Sequence, residues 1–134
     1  MAVRRYDELI AWQLAEQFRV EVLVLVRGSA SASSDLRFRD QLLDAASAVS
    51  KDIAEGFVRY SAAAFIQFLG YALGSLVESE QWLKDGIDRG YFDRSSCEPA
   101  FRTARRCLTA TVRLRQSQER YLEAVRLDKA VNRK

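Results

Sequence analysis

The segment IAEGFVRYS, residues 53–61, places Glu55 directly before Gly56, and Ser61 follows five positions later. A carboxylate beside a flexible glycine could act in acid–base catalysis, but it needs a second titrating group, and none is recognisable. A phosphate-binding loop needs a run of glycines, and one glycine is too few. We therefore predict a corner between two helices. Gly56 would form a left-handed helix cap, Phe57 would pack back onto the last turn, and Ser61 would cap the next helix.

Histidine is absent from the 134 residues. This excludes His-based zinc sites, Ser-His and Cys-His nucleophiles and the Glu-x-x-His motif of di-iron proteins. The two cysteines, Cys97 and Cys107, lie ten positions apart without a CxxC motif. Cys107 is most simply a small core residue. We expect no metal, no cofactor and no enzymatic activity.

Positive charge is concentrated in the last quarter of the chain. Residues 99–134 hold ten Lys/Arg and three Asp/Glu, a net of +7, whereas residues 1–98 hold eleven and fifteen, a net of −4. A basic helix face can neutralise the phosphates of RNA or DNA without reading sequence. The alternative is a solvated face that pairs with the acidic remainder of the chain. The candidate nucleic-acid-binding residues are Arg102, Arg105, Arg106, Arg113, Arg115 and Arg120.

Apolar residues recur with the helical period along the whole chain, and turn-forming residues are few. The predicted helices span about 6–27, 36–55, 61–89 and 96–127. Residues 28–34, GSASASS, are predicted as a flexible loop, and residues 128–134 as a basic tail. The last helix could start at a Ser95-x-x-Glu98 capping box or with Pro99 at its first position. Short connections make successive helices antiparallel, so 1–134 should form a single all-α domain, an up-down antiparallel four-helix bundle.

The first predicted helix is apolar on two sides. One stripe runs from Ile10 through Leu14 to Leu25 and should face the core. A second apolar face, which a four-helix core cannot wholly cover, indicates a subunit interface. This face consists of Leu9, Trp12, Val20, Leu23 and Val24. Gly70 and Gly74 in the third helix fit either close packing within the bundle or contact with another subunit.

No N-terminal signal pattern is visible, because charged residues follow the first methionine closely. The longest run without a formal charge, 60–77, falls short of the roughly 20 apolar residues of a membrane span. We therefore expect a cytoplasmic protein without a membrane partner.

The central stretch, 41–83, has a distinctive pattern. The residues that carry it are Gln41, Leu42, Ala45, Ala46, Ile53, Ala54, Glu55, Gly56, Arg59, Ser61, Phe65, Phe68, Leu69, Ala72, Gly74, Ser75, Glu78 and Glu80. In this pattern the chain resembles the small four-helix-bundle proteins encoded within intervening sequences of bacterial 23S ribosomal RNA genes. That family includes the accessory proteins of diversity-generating retroelements.

The resemblance covers about residues 6 to 125 and implies a ring-shaped homopentamer, no catalysis and a role associated with nucleic acid. Several residues depart from the family pattern, among them Ser50-Lys51 in place of a proline and Ala64 in place of an acidic residue, and three of the departures change the charge. Leu43 and Asp44 stand where the family carries paired arginines, and Asp52 replaces an asparagine. These changes weaken the basic surface outside the last helix. Two functions therefore stay open: an oligomeric RNA-associated accessory protein, or an oligomeric scaffold that binds another protein and no nucleic acid.

Overall fold

The structure, a computed structural model, describes residues 3–133. A 3₁₀ turn, Tyr6–Glu8, leads into the first helix. The helices are α1 Ile10–Arg27, α2 Ala30–Ser34, α3 Leu36–Phe57, α4 Ala62–Asp88 and α5 Arg94–Asn132. The described residues contain no strand, so the predicted all-α class is confirmed.

The four long helices pack as a ring in the order α1, α3, α4, α5, and α5 closes the ring against α1. Two contacts show that α1 and α5 run in opposite directions. Gln17 Nε2 donates to Thr103 Oγ1 at 3.2 Å, and the Cys107 thiol lies 3.7 Å from the carbonyl oxygen of Ala11. As the α1 residue number rises, its α5 partner's number falls.

The core is formed by one apolar stripe from each long helix. Its fully buried larger side chains are Phe18, Val22, Phe38, Leu42, Val49, Ile53, Leu69, Leu76, Leu83, Cys97 and Cys107. The 3₁₀ turn changes the predicted register at the start of α1. Ile10, predicted to face the core, is 67% exposed, whereas Leu9, predicted to lie at a subunit interface, is buried in the core.

Residues 28–34 form a helical turn rather than the predicted loop. Ser29 caps α2, because its Oγ accepts the amide of Ala32 at 3.1 Å. The hydroxyl of Ser33 donates to the carbonyl oxygen of Val26 at 2.7 Å and ties the turn to the end of α1. Ala32 is fully buried. Its small side chain lets this turn pack directly on the core.

The corner between α3 and α4 differs from its prediction. Gly56 is a buried helical residue of α3, not a left-handed cap, and α3 ends at Phe57. The left-handed backbone belongs to Tyr60, with φ 56°. Phe57 packs edge-on against Phe65, with ring centroids 6.0 Å apart. Ser61 caps α4, because its Oγ accepts the amide of Ala64 at 3.3 Å.

Helix α5 is longer than predicted at both ends. It begins at Arg94, so Pro99 lies inside the helix, and the proposed Ser95–Glu98 capping box does not form its start. The helix continues to Asn132 through most of the predicted basic tail; Lys134 lies outside the described residues. Its 39 residues span about 58 Å at 1.5 Å per residue. The last buried residue is Thr111.

Within residues 3–133, α4 is the single helix whose length and composition would suit a membrane span. The same helix supplies Phe65, Leu69 and Leu76 to the bundle core. A core helix of a bundle has the same length and composition, so this feature is weak support for a membrane segment.

Candidate nucleic-acid interface

The outer face of α5 carries a continuous row of arginines. At 3.6 residues per turn, five of the predicted arginines fall on the side of α5 opposite its buried stripe. This arginine stripe consists of Arg102, Arg105, Arg106, Arg113 and Arg120, all exposed. It extends about 27 Å along the helix. Its cations lie along a rigid element, with intervals of about two turns between Arg106, Arg113 and Arg120, which suits contact with a series of phosphates.

Arg115, the sixth predicted residue, points elsewhere. It is half-buried and lies on the side of α5 that faces α4. Its guanidinium carbon is 3.9 Å from the position that a β-carbon on Gly70 would take. Its Nε is buried and has no hydrogen-bond acceptor. Arg115 therefore does not belong to the arginine stripe.

The stripe arginines are not neutralised by nearby carboxylates. The ion pairs among the described residues involve a different set of arginines, namely Arg5, Arg19, Arg39, Arg59 and Arg89. The α5 sequence contains no acidic residue between 99 and 118. Across the interface with α4, burial raises the pKa of the Glu80 carboxyl while Lys84 and Arg105 oppose that rise. The stripe therefore presents a surplus of positive charge.

A shallow cavity of about 340 Å³ lies along the stripe. It is lined by Arg105, Arg106, Thr109 and Arg113 of α5 and by Leu14 of α1. Guanidinium groups present planar pairs of N–H donors that fit phosphate oxygens, and a threonine hydroxyl can donate to them as well. The cavity can hold a backbone phosphate.

A second polar cavity of about 410 Å³ lies between α1 and α3 beside Glu16. The Glu16 carboxylate accepts from the Ser50 hydroxyl at 2.7 Å and from Arg19 at 3.0 Å. The hydrogen bond from Arg19 lowers the pKa of Glu16, and the one from Ser50 adds to this. A carboxylate held ionised by two donors is a poor general acid or base at neutral pH. The arrangement joins α1 to α3.

The cysteines offer no reactive thiol. Burial raises the pKa of Cys97 and of Cys107 to about 11, so both stay protonated near pH 7. In the part of the chain that the structure covers, no cluster of three or more His, Cys, Asp or Glu side chains could hold a metal ion. Nothing in these residues points to catalysis.

The predicted subunit interface is partly exposed. Val20 and Val24 of α1 are 46% and 63% exposed, while Leu23 is half-buried. Trp12 is also half-buried and packs edge-on against Tyr6 at 5.3 Å between ring centroids. The surviving apolar patch of α1 is therefore smaller than the sequence indicated and centres on the two valines.

Gly70 and Gly74 of α4 are not required by packing within the chain, whereas a β-carbon on the third glycine of this helix, Gly86, would lie 2.6 Å from the Phe92 ring. A β-carbon on Gly74 would have no neighbour within 4 Å, and one on Gly70 would make only ordinary contact with Arg115. The outer face of α4 also exposes Tyr71 and Val77, which sequence analysis did not select. Helix α4 has more apolar residues than one core stripe needs, and this excess could have identified Tyr71 and Val77 from the sequence.

The fold places the protein among the antiparallel four-helix bundles, and its last helix is long and basic. The family model of the 23S rRNA-intervening sequence proteins matches residues 7–111, and the chain belongs to this family. No curated protein matches the chain.

A solved structure shares the fold. It is a protein of unknown function from the S23 ribosomal protein family of Bacteroides thetaiotaomicron, with a TM-score of 0.72 and 21% identity. The match covers 78% of this chain and 97% of the other.

Proposed function

We propose that this protein is a non-enzymatic, homo-oligomeric accessory protein that binds RNA through the arginine stripe of α5. The observation that carries the proposal is the row of five exposed arginines without a carboxylate in ion-pair contact. Contacts of this kind attract the phosphate backbone by releasing counterions and are largely independent of sequence.

The competing explanation was that the arginines balance acidic residues of α4. The contacts of those acids argue against it. Asp85 pairs with Arg89 at 2.8 Å, and Glu78 accepts from the indole N–H of Trp82 at 3.4 Å. Glu80 influences Arg105 alone among the stripe residues. Arg102, Arg106 and Arg113 thus have no acidic partner that they would need to neutralise.

Self-association is the second part of the proposal. The exposed valines of α1 and the open surface around Gly74 on α4 are apolar regions that a soluble monomer would leave in water. The ring of five subunits comes from the family resemblance. Repeating the stripe in each subunit would add weak contacts through multivalency.

The test is fluorescence anisotropy with a labelled RNA at several salt concentrations. Exchange of Arg102, Arg106 and Arg113 for glutamine should weaken RNA binding. It should also reduce the slope of the logarithm of the binding constant against the logarithm of the salt concentration by about 2 to 3, because each lost phosphate contact removes about 0.7 to 0.9. The matched control exchanges three exposed arginines away from the stripe, Arg27, Arg37 and Arg94. It removes the same charge and should leave the slope nearly unchanged.

Two outcomes would contradict the proposal. Equal losses in the two triple variants would mean that net charge alone governs binding. No binding by the intact protein at low salt would favour an oligomeric protein–protein scaffold. Light scattering on the same samples shows whether the oligomer survives the exchange of the stripe.

A further inference from the structure

The buried face of α5 follows a spacing of alternating three and four residues. The repeat comprises Cys97, Ala100, Ala104, Cys107, Thr111, Leu114, Gln118, Tyr121 and Val125. The first five members are buried in the bundle. The last four, here called the C-terminal seam, are half-buried except for Tyr121, which is 62% exposed. A repeat of this spacing is typical of a helix that packs against another helix.

The seam lies where the bundle provides fewer neighbours. Ala11 at the start of α1 already lies opposite Cys107, so α1 does not continue alongside the seam. The family model also ends at residue 111, and the solved relative matches over 97% of its own chain but 78% of this one. Residues 112–133 are thus an extension beyond the shared bundle. A helical extension gains its stability chiefly from packing of its apolar face.

Most of the positive charge lies on one side of the seam. One flank carries the cations Arg115, Arg126, Lys129 and Arg133, with Leu122 among them. The other flank carries the uncharged side chains of Ser117, Ala124 and Val131, and one carboxylate, Asp128, which follows Val125 in the same spacing. The Nε of Arg115 is buried without an acceptor on this basic flank. Charges that border an apolar seam set the choice of partner helix, and these select a partner with acidic side chains.

A second copy of the chain fits this pattern poorly. In an antiparallel pair the same flanks meet, so the cations beside the seam would face one another. In a parallel pair the basic flank would meet the flank of Ser117, Ala124 and Val131, and the Asp128 carboxylates of the two copies would lie close together and repel.

An anionic membrane also fits poorly. The seam is narrow and contains Gln118 at its centre, whereas membrane-surface helices bury a broad apolar face. The remaining surface of the extension carries Glu119, Glu123 and Asp128, which anionic lipids would repel.

We infer that the C-terminal seam is a docking site for an acidic amphipathic helix of another protein. Tyr121 and Val125 pack against the apolar stripe of that helix, in the helix-in-groove mode of recognition, next to Leu114, which packs on the bundle core. Arg126 and Lys129 face its carboxylates, and the buried Nε of Arg115 gains an acceptor. The seam lies on a different face of α5 from the arginine stripe, so this site is separate from the RNA-binding surface proposed above.

Designed peptides test the inference on the full chain. A labelled amphipathic peptide of three heptads, with leucine in its apolar stripe and glutamate on both flanks, is titrated by fluorescence anisotropy. A matched peptide carries lysine in place of every glutamate. The glutamate peptide is expected to bind at least about tenfold more tightly than the lysine peptide.

Substitutions then locate the site. Tyr121→Ser with Val125→Ser should weaken binding of the glutamate peptide about tenfold or more, since the apolar contacts are lost. Leu127→Ser is the control, because Leu127 is equally exposed but lies on the other side of the helix. Arg126→Glu with Lys129→Glu should reverse the preference in favour of the lysine peptide. Val125 is half-buried and the other positions are exposed, and all lie beyond Thr111, the last buried residue, so the bundle should stay folded in each variant.

Five results would each overturn the inference. The glutamate peptide fails to bind, or both peptides bind equally well. The seam and Leu127 variants lose the same affinity. Light scattering shows a changed subunit number in the seam variant, which would assign the seam to a second copy. Binding of the extension to phosphatidylserine vesicles, with no preference between peptides, would assign it to a membrane.

Discussion

A β-carbon added to Gly56 would lie 2.6 Å from the β-carbon of Phe68, a separation that real β-carbons essentially never show. Gly56 is therefore the point where α3 and α4 approach most closely at this end of the bundle. The glycine serves close packing of two helices, and its backbone stays right-handed. Phe65, about one turn earlier on α4, has a ring atom 3.0 Å from the same position.

Gly56→Ala should destabilise the protein by about 1 to 3 kcal/mol, the usual cost of overpacking a core. The urea unfolding midpoint measures it. Gly70→Ala is the control, since its β-carbon would meet only Arg115 at 3.9 Å. There the better helix propensity of alanine should leave stability equal or raise it by up to about 1 kcal/mol. Equal effects of the two substitutions would mean that the contact with Phe68 relaxes freely.

Tyr60→Gly should stabilise the protein. Tyr60 holds a left-handed backbone with φ 56°, which costs a residue with a β-carbon roughly 1 kcal/mol relative to glycine. Its side chain is 94% exposed, so little packing is lost. Tyr60→Ala keeps the backbone cost and should leave the thermal midpoint nearly unchanged. If the thermal midpoint rose equally in both variants, the left-handed backbone of Tyr60 would not be the cause of the gain in stability.

Asp52→Asn should stabilise the protein at pH 7, by less than about 1 kcal/mol because the group is partly solvated. Burial, with a further contribution from Glu55, raises the Asp52 pKa above 3.8. A carboxyl whose pKa is raised by folding favours the folded state below its unfolded pKa and loses that contribution as pH rises through the folded value. The gain from Asn should therefore shrink as pH falls through the raised folded pKa and be absent below the ordinary value of 3.8.

Thermal melts of Asp52→Asn and wild type between pH 3 and pH 7 check this expectation. Asp44→Asn, an exposed change in the same helix, is the control. A gain that persists undiminished at low pH would show that ionisation of Asp52 is not its source.

Val24→Glu should break the oligomer while leaving the subunit folded. Val24 is 63% exposed in the isolated chain, so the substitution costs little there, but a charge would be buried in a subunit contact. Val58→Glu is the matched control, because Val58 is also exposed and lies at the opposite end of the bundle. Multi-angle light scattering measures the mass. A wild-type monomer at micromolar concentration would refute the interface itself.

Sequence periodicity was enough to predict the four long helices, because each buries one stripe over many turns. The local errors arose where a single tertiary contact decides the structure. Ala32 is helical because the core has room for it, and Gly56 is a glycine because Phe68 lies beside it. Neither neighbour is close in sequence, so no local pattern could reveal them.

The candidate site shows the same division. Helical spacing correctly placed Arg102, Arg106 and Arg113 near one face. It did not separate Arg115, since its environment depends on the position of α4 beside Gly70. Exposure of the second face of α1 was overestimated because the 3₁₀ turn moves Leu9 into the core. The conformation of the residues that precede a helix decides which of its first side chains are buried, and the spacing of apolar residues does not encode that conformation.

The length of α5 has a consequence for hydrogen exchange. Amides near Cys107 lie in the buried bundle and exchange only when the bundle opens, whereas those beyond Val125 belong to an exposed helical end. Fraying there costs little free energy and is independent of global unfolding. A single helix should thus show a gradient of exchange rates that rises steeply past the bundle. A ligand that slows hydrogen exchange only at the C-terminal end of α5 must therefore bind to residues 112–133.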